Sequence, residues 1–275
     1  MERPLESAAA RAAGAAVFEG IYSEYNKREY VSPDPLQFLY GYDAAEDREV
    51  AGLIASALAY GRVAQILKSV GRVLDVLGEH PAEYLKNTEC CEYERKLAGF
   101  VHRFTDSAAL CSFLGAVGEV LRSYGSLERL FLSGWRGDIC EAIENFTDVM
   151  NGFAGCGSSF LLPRPSKGSA CKRMALYLRW MVRHDEVDPG GWSGIKPADL
   201  IVPLDTHLFH ISSVLGLCSL KSANGRAAAE ITESFRDISP DDPVKYDFSL
   251  TRYGIRNDMT VEELFAKWHC GRKHG

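Results

Sequence analysis

The sequence predicts an all-α protein. Three observations carry this reading: apolar residues return every three to four positions in successive segments, strict apolar–polar alternation is scarce, and glycine or proline stands where the periodic segments end. No fixed-period repeat emerges.

The opening segment, 5–26, is alanine-rich, and Ala13, Val17, Ile21 and Tyr25 recur every four residues as one face of an amphipathic helix requires. Val31-Ser32-Pro33-Asp34-Pro35 reads as a linker, because each proline removes a backbone donor and biases its predecessor to extended geometry. Asp47-Arg48-Glu49 places acids near a helix start ahead of Val50, Leu53, Ile54, Ala57 and Leu58, with Gly61 as the expected stop. The segment 66–77 repeats Ile66, Leu67, Val70, Val73, Leu74 and Leu77 and is closed by Gly78 and Pro81. His102-Arg103, between Phe100-Val101 and Phe104, reads as a helix end. Further helices fit 108–124 and 137–151.

A turn is expected over Gly155-Cys156-Gly157-Ser158-Ser159, and a tight hairpin over Leu162-Pro163-Arg164-Pro165-Ser166-Lys167-Gly168-Ser169. The next helix, 169–184, carries Met174, Leu178 and Met181 on one stripe and Lys172, Arg179 and Arg183 on another. The segment 185–199 is irregular and long enough to suggest a lid. Pro203-Leu204-Asp205-Thr206-His207 then opens a helix with Asp205 or Thr206 as N-cap, Leu208, Ile211 and Leu215 facing inward and Gly216 as the stop. Helical segments 227–235 and 260–268 follow, separated by a stretch in which Asp242, Lys245 and Asp247 read as an ion-pair network fixing the tail to the body.

With 275 residues, 46% of them hydrophobic, the chain can build a sizeable core. No segment approaches the roughly 18 uninterrupted apolar residues of a membrane span, and no apolar leader opens the chain, so a cytoplasmic protein is expected. The eight cysteines contain no C-x-x-C pair, which disfavours zinc ribbons and cysteine-held clusters, and neither cofactor nor metal is expected. A net charge of −6 argues against a broad polyanion-binding surface. Charge is polarised, however: Arg164, Lys167, Lys172, Arg173, Arg179 and Arg183 follow one another with no acid between.

The order of hairpin, basic helix with an early lysine, loop, then Pro203-Leu204-Asp205-Thr206-His207 opening an apolar helix resembles the helix-hairpin-helix (HhH-GPD) DNA glycosylase superfamily. The separation of Lys172 from Asp205 and the run Lys172-Arg173-Met174-Ala175-Leu176-Tyr177 are similar to the archaeal 8-oxoguanine DNA glycosylase branch. The hairpin lacks the glycine-hydrophobic-glycine pattern of common members, and the cysteine-ligated cluster of endonuclease III is absent. The whole chain resembles still more closely an uncharacterised prokaryotic family, through Pro203 to His207 and Asp242-Pro243-Val244-Lys245-Tyr246-Asp247-Phe248.

The glycosylase resemblance implies a two-lobed helical fold, one lobe over 47–185 and the other combining 1–46 with 186–275, with a cleft between. It implies Lys172 as the nucleophile that attacks the sugar of a damaged nucleotide, Asp205 as the assisting carboxylate, and a Schiff base that permits strand cleavage; Lys167 is a rival nucleophile. Arg173 and Arg179 would help to keep Lys172 neutral. A flipped base would need stacking partners, for which Tyr177, Trp180 and Trp192 are candidates, with His207 beside them, although Tyr177 and Trp180 also suit a helix core. Arg164, Lys167, Gly168 and Ser169 would hold a phosphate of the damaged duplex DNA. The expected activity is base excision of an oxidised purine such as 8-oxoguanine by a monomer. Two other readings stand beside it: a non-catalytic nucleic-acid-binding module on the same scaffold, and a metal-dependent hydrolase using Asp205, His207 and His210.

Overall fold

The computed structural model describes residues 8–155, 160–256 and 259–273. The turn expected at 155–159 lies outside the described residues except for Gly155. The described residues are mostly helical.

Helix α1 (Ala8–Tyr25) runs beneath the tail, because Phe18 stacks on Trp268 with ring centroids 4.8 Å apart and also meets Phe235 and Tyr246. The proline segment after it is a 3-10 helix, Pro35–Gly41, capped by the Asp34 carboxylate on the Leu36 amide at 3.0 Å, rather than a linker. Helix α2 (Ala45–Ala57) is buried along ten of its residues, from Asp47 to Ala57 apart from Arg48. Its Gly52 admits the close approach of Tyr177 and Met181, since a Cβ there would lie 3.4 and 3.5 Å from them. Helix α2 thus packs directly against the helix carrying Lys172.

Helix α3 (Val63–Leu77) precedes α4 (Pro81–Asn87), in which Pro81 starts a helix as well as ending the segment before it. Asp47 ties α2 to α4 by accepting the Ala82 amide at 2.9 Å. After α5 (Cys90–Lys96), His102-Arg103 is not a helix end: His102 ends β1 (Val101–His102), and Arg103, at φ 52, opens the turn to its antiparallel partner β2 (Thr105–Asp106). Two-residue strands are too short to show alternation in sequence. Helices α6 (Ser107–Tyr124), α7 (Leu127–Ser133) and α8 (Ile139–Ala154) complete this half, each opened by a side-chain cap from Asp106, Ser126 or Asp138.

Helix α9 (Lys172–Val182) starts three residues later than the periodicity suggests, because Cys171 takes a left-handed conformation at φ 47. Lys172 is therefore the first helical residue. The segment 185–199 is pinned rather than lid-like: Trp192 donates from its backbone to Met181 O at 2.8 Å and from its ring to Glu49 at 3.0 Å, and Glu128 accepts the Ser193 and Gly194 amides. Helices α10 (Thr206–Val214), α11 (Gly225–Arg236), α12 (Asp247–Ile255) and α13 (Val261–Lys273) follow, with α10 against α12 and α1 against α12 and α13. No helix among the described residues is long and apolar enough to cross a membrane.

Candidate active site

Two helix starts bring the central pair together. Asp205 stands at the N-cap of α10, where its Oδ1 accepts the Leu208 amide at 2.8 Å. Its other oxygen, Oδ2, lies 3.3 Å from Lys172 Nζ at the start of α9. Both side chains keep contact with solvent, 37% exposed for the lysine and 18% for the aspartate.

They line a cavity of about 690 Å³. Its walls come from the proline segment (Tyr30, Asp34), the residues before α3 (Ala59, Gly61), α9 (Leu176, Arg179, Trp180) and α12 (Asp247, Thr251, Arg252). Lys172, Arg179, Arg252 and Arg256 face Asp34, Asp205 and Asp247 around it, with His207 beside them. The chain is acidic, yet this cavity carries a slight cationic excess.

Beneath it lies a buried charge network. Arg179 meets Asp188 at 3.1 Å and also pairs with Asp247, while Arg183 reaches Asp185 at 2.8 Å, Asp242 at 2.9 Å and Asp188. Arg252 accompanies them, bonded to Tyr30 O at 3.2 Å and lying 3.7 Å from Asp34. Asp242 thus joins the network as the sequence suggests, whereas Lys245 pairs with Glu19 of α1 instead. Burial pushes the Asp247 carboxyl up to about 6, against the pull of Arg179, and nearby Asp205 adds to the rise. Two buried polar atoms of cavity-lining residues have no partner: Asp247 Oδ1 and Trp180 Nε1.

Several expected site residues lie elsewhere. Tyr177 and Trp192 are buried in the core and meet edge to face at 5.2 Å, on the inner side of α9, so neither lines the cavity. Trp180 and His207 do line it, and the His207 ring packs where a Cβ on Gly254 would come within 2.7 Å. Arg164 is engaged by Glu144 at 3.1 Å and by Asp148, and Glu144 also takes the Ser166 amide and hydroxyl. The Gly168 amide bonds to Pro165 O at 2.8 Å, inside the 3-10 turn Pro165–Lys167, so two of the four expected phosphate donors are committed within the fold. Lys167 is exposed, Ser169 half-buried, and neither lines the cavity. Arg173 turns to Tyr60 and Phe160, and Arg179 is matched by two acids, so neither cation is directed at Lys172 as expected. His210 is exposed off the cavity, and the described residues contain no group of three or more His, Cys, Asp or Glu placed to hold a metal.

Sequence reasoning missed Asp34 and Arg252 and gave Asp247 only a structural part. Residues 247–253 of α12 are all buried, so the carboxylate of Asp247 and the guanidinium of Arg252 must be partnered inside the fold, which the sequence of this mixed polar and apolar segment does not show.

No curated protein and no solved structure matches the chain significantly. The family described as protein of unknown function DUF2400 matches residues 34–256, a span that begins and ends on the cavity-lining residues Asp34 and Arg256, and the chain belongs to that family.

Proposed function

We propose that the chain is a DNA base-excision glycosylase with lyase activity, built on a two-lobed HhH-GPD-like architecture in which Lys172 and Asp205 act from facing sides of the cleft. The observation that carries the reading is the lysine amine 3.3 Å from a carboxylate oxygen, inside a cavity of about 690 Å³, large enough for a nucleobase.

The chemistry follows from that geometry. Lys172 Nζ gives up a proton, for which Asp205 Oδ2 is the neighbouring acceptor, and attacks C1′ of the damaged nucleotide. The C1′–N bond breaks with its electron pair leaving on the base, which takes that proton from Asp205 and so restores the carboxylate. Positive charge developing on the sugar is stabilised by the Asp205 carboxylate. Opening of the sugar ring gives the lysine Schiff base, and loss of a C2′ proton expels the 3′ phosphate.

The unpartnered Trp180 Nε1 and Asp247 Oδ1 favour an oxidised purine such as 8-oxoguanine as the base. An indole N–H and a carboxylate oxygen complement a C=O beside an N–H; the oxidised ring presents such a pair at C8 and N7, where unmodified guanine has a C–H and a bare acceptor nitrogen. A polar site of this kind rejects the wrong base by leaving buried groups unpaired. DNA is the partner, the protein acts as a monomer, and the compartment is the cytoplasm.

Incision assays on duplexes carrying 8-oxoguanine, uracil, a thymine glycol or an abasic site test the reading. Cleavage at 8-oxoguanine by the wild type, lost in Lys172→Ala and kept in Lys167→Ala, is expected. Binding without incision at any of these lesions would instead support the non-catalytic module.

A further inference from the structure

The hairpin tip beside the cavity exposes aromatic surface that the fold itself does not use. Phe104 is 71% exposed and Phe160 45%, unusual for large rings. They meet edge to face at 5.6 Å, and Phe160 meets Tyr60 at 5.2 Å. Arg103 lies 5.3 Å from the Phe104 centroid, while Arg173 lies 4.8 Å from Phe160 and 5.3 Å from Tyr60.

The tip is held rigidly. The Tyr60 hydroxyl donates to His102 O at 2.9 Å and sits 2.6 Å from Thr105 Oγ1, one contact on each strand. The fully buried His102 ring meets Ser69 Oγ at 2.9 Å and Tyr60 O at 3.1 Å. Asp106 turns to cap α6 through the Ala109 amide, so its charge is used there. Arg103 packs at the rim of the cavity: Gly61 lines that cavity, and a Cβ on Gly61 would fall 2.7 Å from Arg103 Cδ.

Exposed π faces framed by guanidinium groups suit a ligand with flat rings and anionic links better than an apolar protein face, which would strip water from the cations without pairing them. We propose that Phe104 and Phe160, with Arg103 beside them, form a platform on which an unpaired base of a DNA strand stacks next to the nucleotide held in the cavity. This rests on the nucleic-acid reading of the Lys172 site.

The test uses the full chain and a short fluorescein-labelled single-stranded DNA of undamaged sequence. Phe104→Ala weakens binding by roughly 5- to 150-fold, the range of one lost base–aromatic stack. Phe104→Trp restores it, with quenching of the new indole on binding, and Arg103→Ala lowers the salt slope by about one. Unchanged affinity in Phe104→Ala, no binding by the wild type, or a variant that alters only the oligomeric state at sedimentation equilibrium overturns the proposal. Borohydride adduct formation, scored separately, keeps the two readings apart. An adduct with unaltered Phe104→Ala affinity removes the platform alone, and Phe104-dependent binding without an adduct removes the chemistry alone.

Discussion

Lys172 Nζ meets Asp205 on Oδ2, the carboxylate oxygen that the Leu208 amide leaves free. One side chain thereby closes a helix end and faces an amine. Partly exposed pairs of this kind contribute only about 0–1 kcal/mol to stability. The fold gains little from the contact, so substituting Lys172 leaves the protein folded and isolates the chemistry.

Asp205→Asn separates the two tasks of this residue. Asparagine still caps α10, so thermal stability stays close to wild type, while loss of the charge lowers incision at least 100-fold. Asp205→Ala loses the cap as well and unfolds about 1 kcal/mol more easily. Equal activity in wild type and Asp205→Asn would remove the carboxylate from the mechanism.

Arg179 supports the cavity from below, and Arg179→Met leaves Asp188 and Asp247 in the interior without their shared cation. A loss of about 3–5 kcal/mol in urea unfolding is expected. Adding Asp247→Asn should recover part of that loss, since one stranded charge is removed; strictly additive costs would contradict the coupling.

Glu49 links stability to pH. It accepts the Leu127 and Glu128 amides and the Trp192 ring N–H, and burial pushes its carboxyl up to about 7. An unfolded glutamate titrates near about 4.3, so between these values the folded protein holds the extra proton. The stabilisation is complete below the unfolded value and is lost as pH rises through about 7. The difference in unfolding free energy between wild type and Glu49→Gln should therefore move in favour of the variant from about pH 4 to about pH 8, by up to roughly 3 kcal/mol. Parallel profiles would show that Glu49 ionises as freely folded as unfolded.

The helices were legible because each rests on local chemistry, whereas the pairing of Lys172 with Asp205 was implied by the glycosylase resemblance alone. Periodicity marks a helix with one buried face, and an N-cap aspartate marks its start, so α3, α6, α8 and α10 are found close to their observed limits. Helix α12 shows no such stripe, since residues 247–253 are buried on every side and an all-round burial has no period. Arg252 therefore enters the site unannounced and Asp247 was expected only in an ion-pair network; they are made tolerable by Asp34 and Arg179, which lie far away in sequence.

The misplaced aromatics have a related cause. Tyr177 and Trp180 lie three residues apart on α9, yet Trp180 borders the cavity while Tyr177 packs inward against Trp192. Which ring of an amphipathic helix faces a cleft depends on what crosses it, here α2, whose Gly52 lies beside Tyr177 and Met181. Arg164, expected to bind phosphate, is likewise drawn away by Glu144 of α8, a partner 20 residues off that no local pattern reveals.

Trapping with borohydride on an 8-oxoguanine or abasic duplex, followed by mass mapping of the modified peptide, tests the central claim most directly. The account predicts a reduced DNA adduct on Lys172, absent in Lys172→Ala and retained in Lys167→Ala. An adduct on Lys167, or no adduct from folded wild-type protein on either duplex, would contradict it.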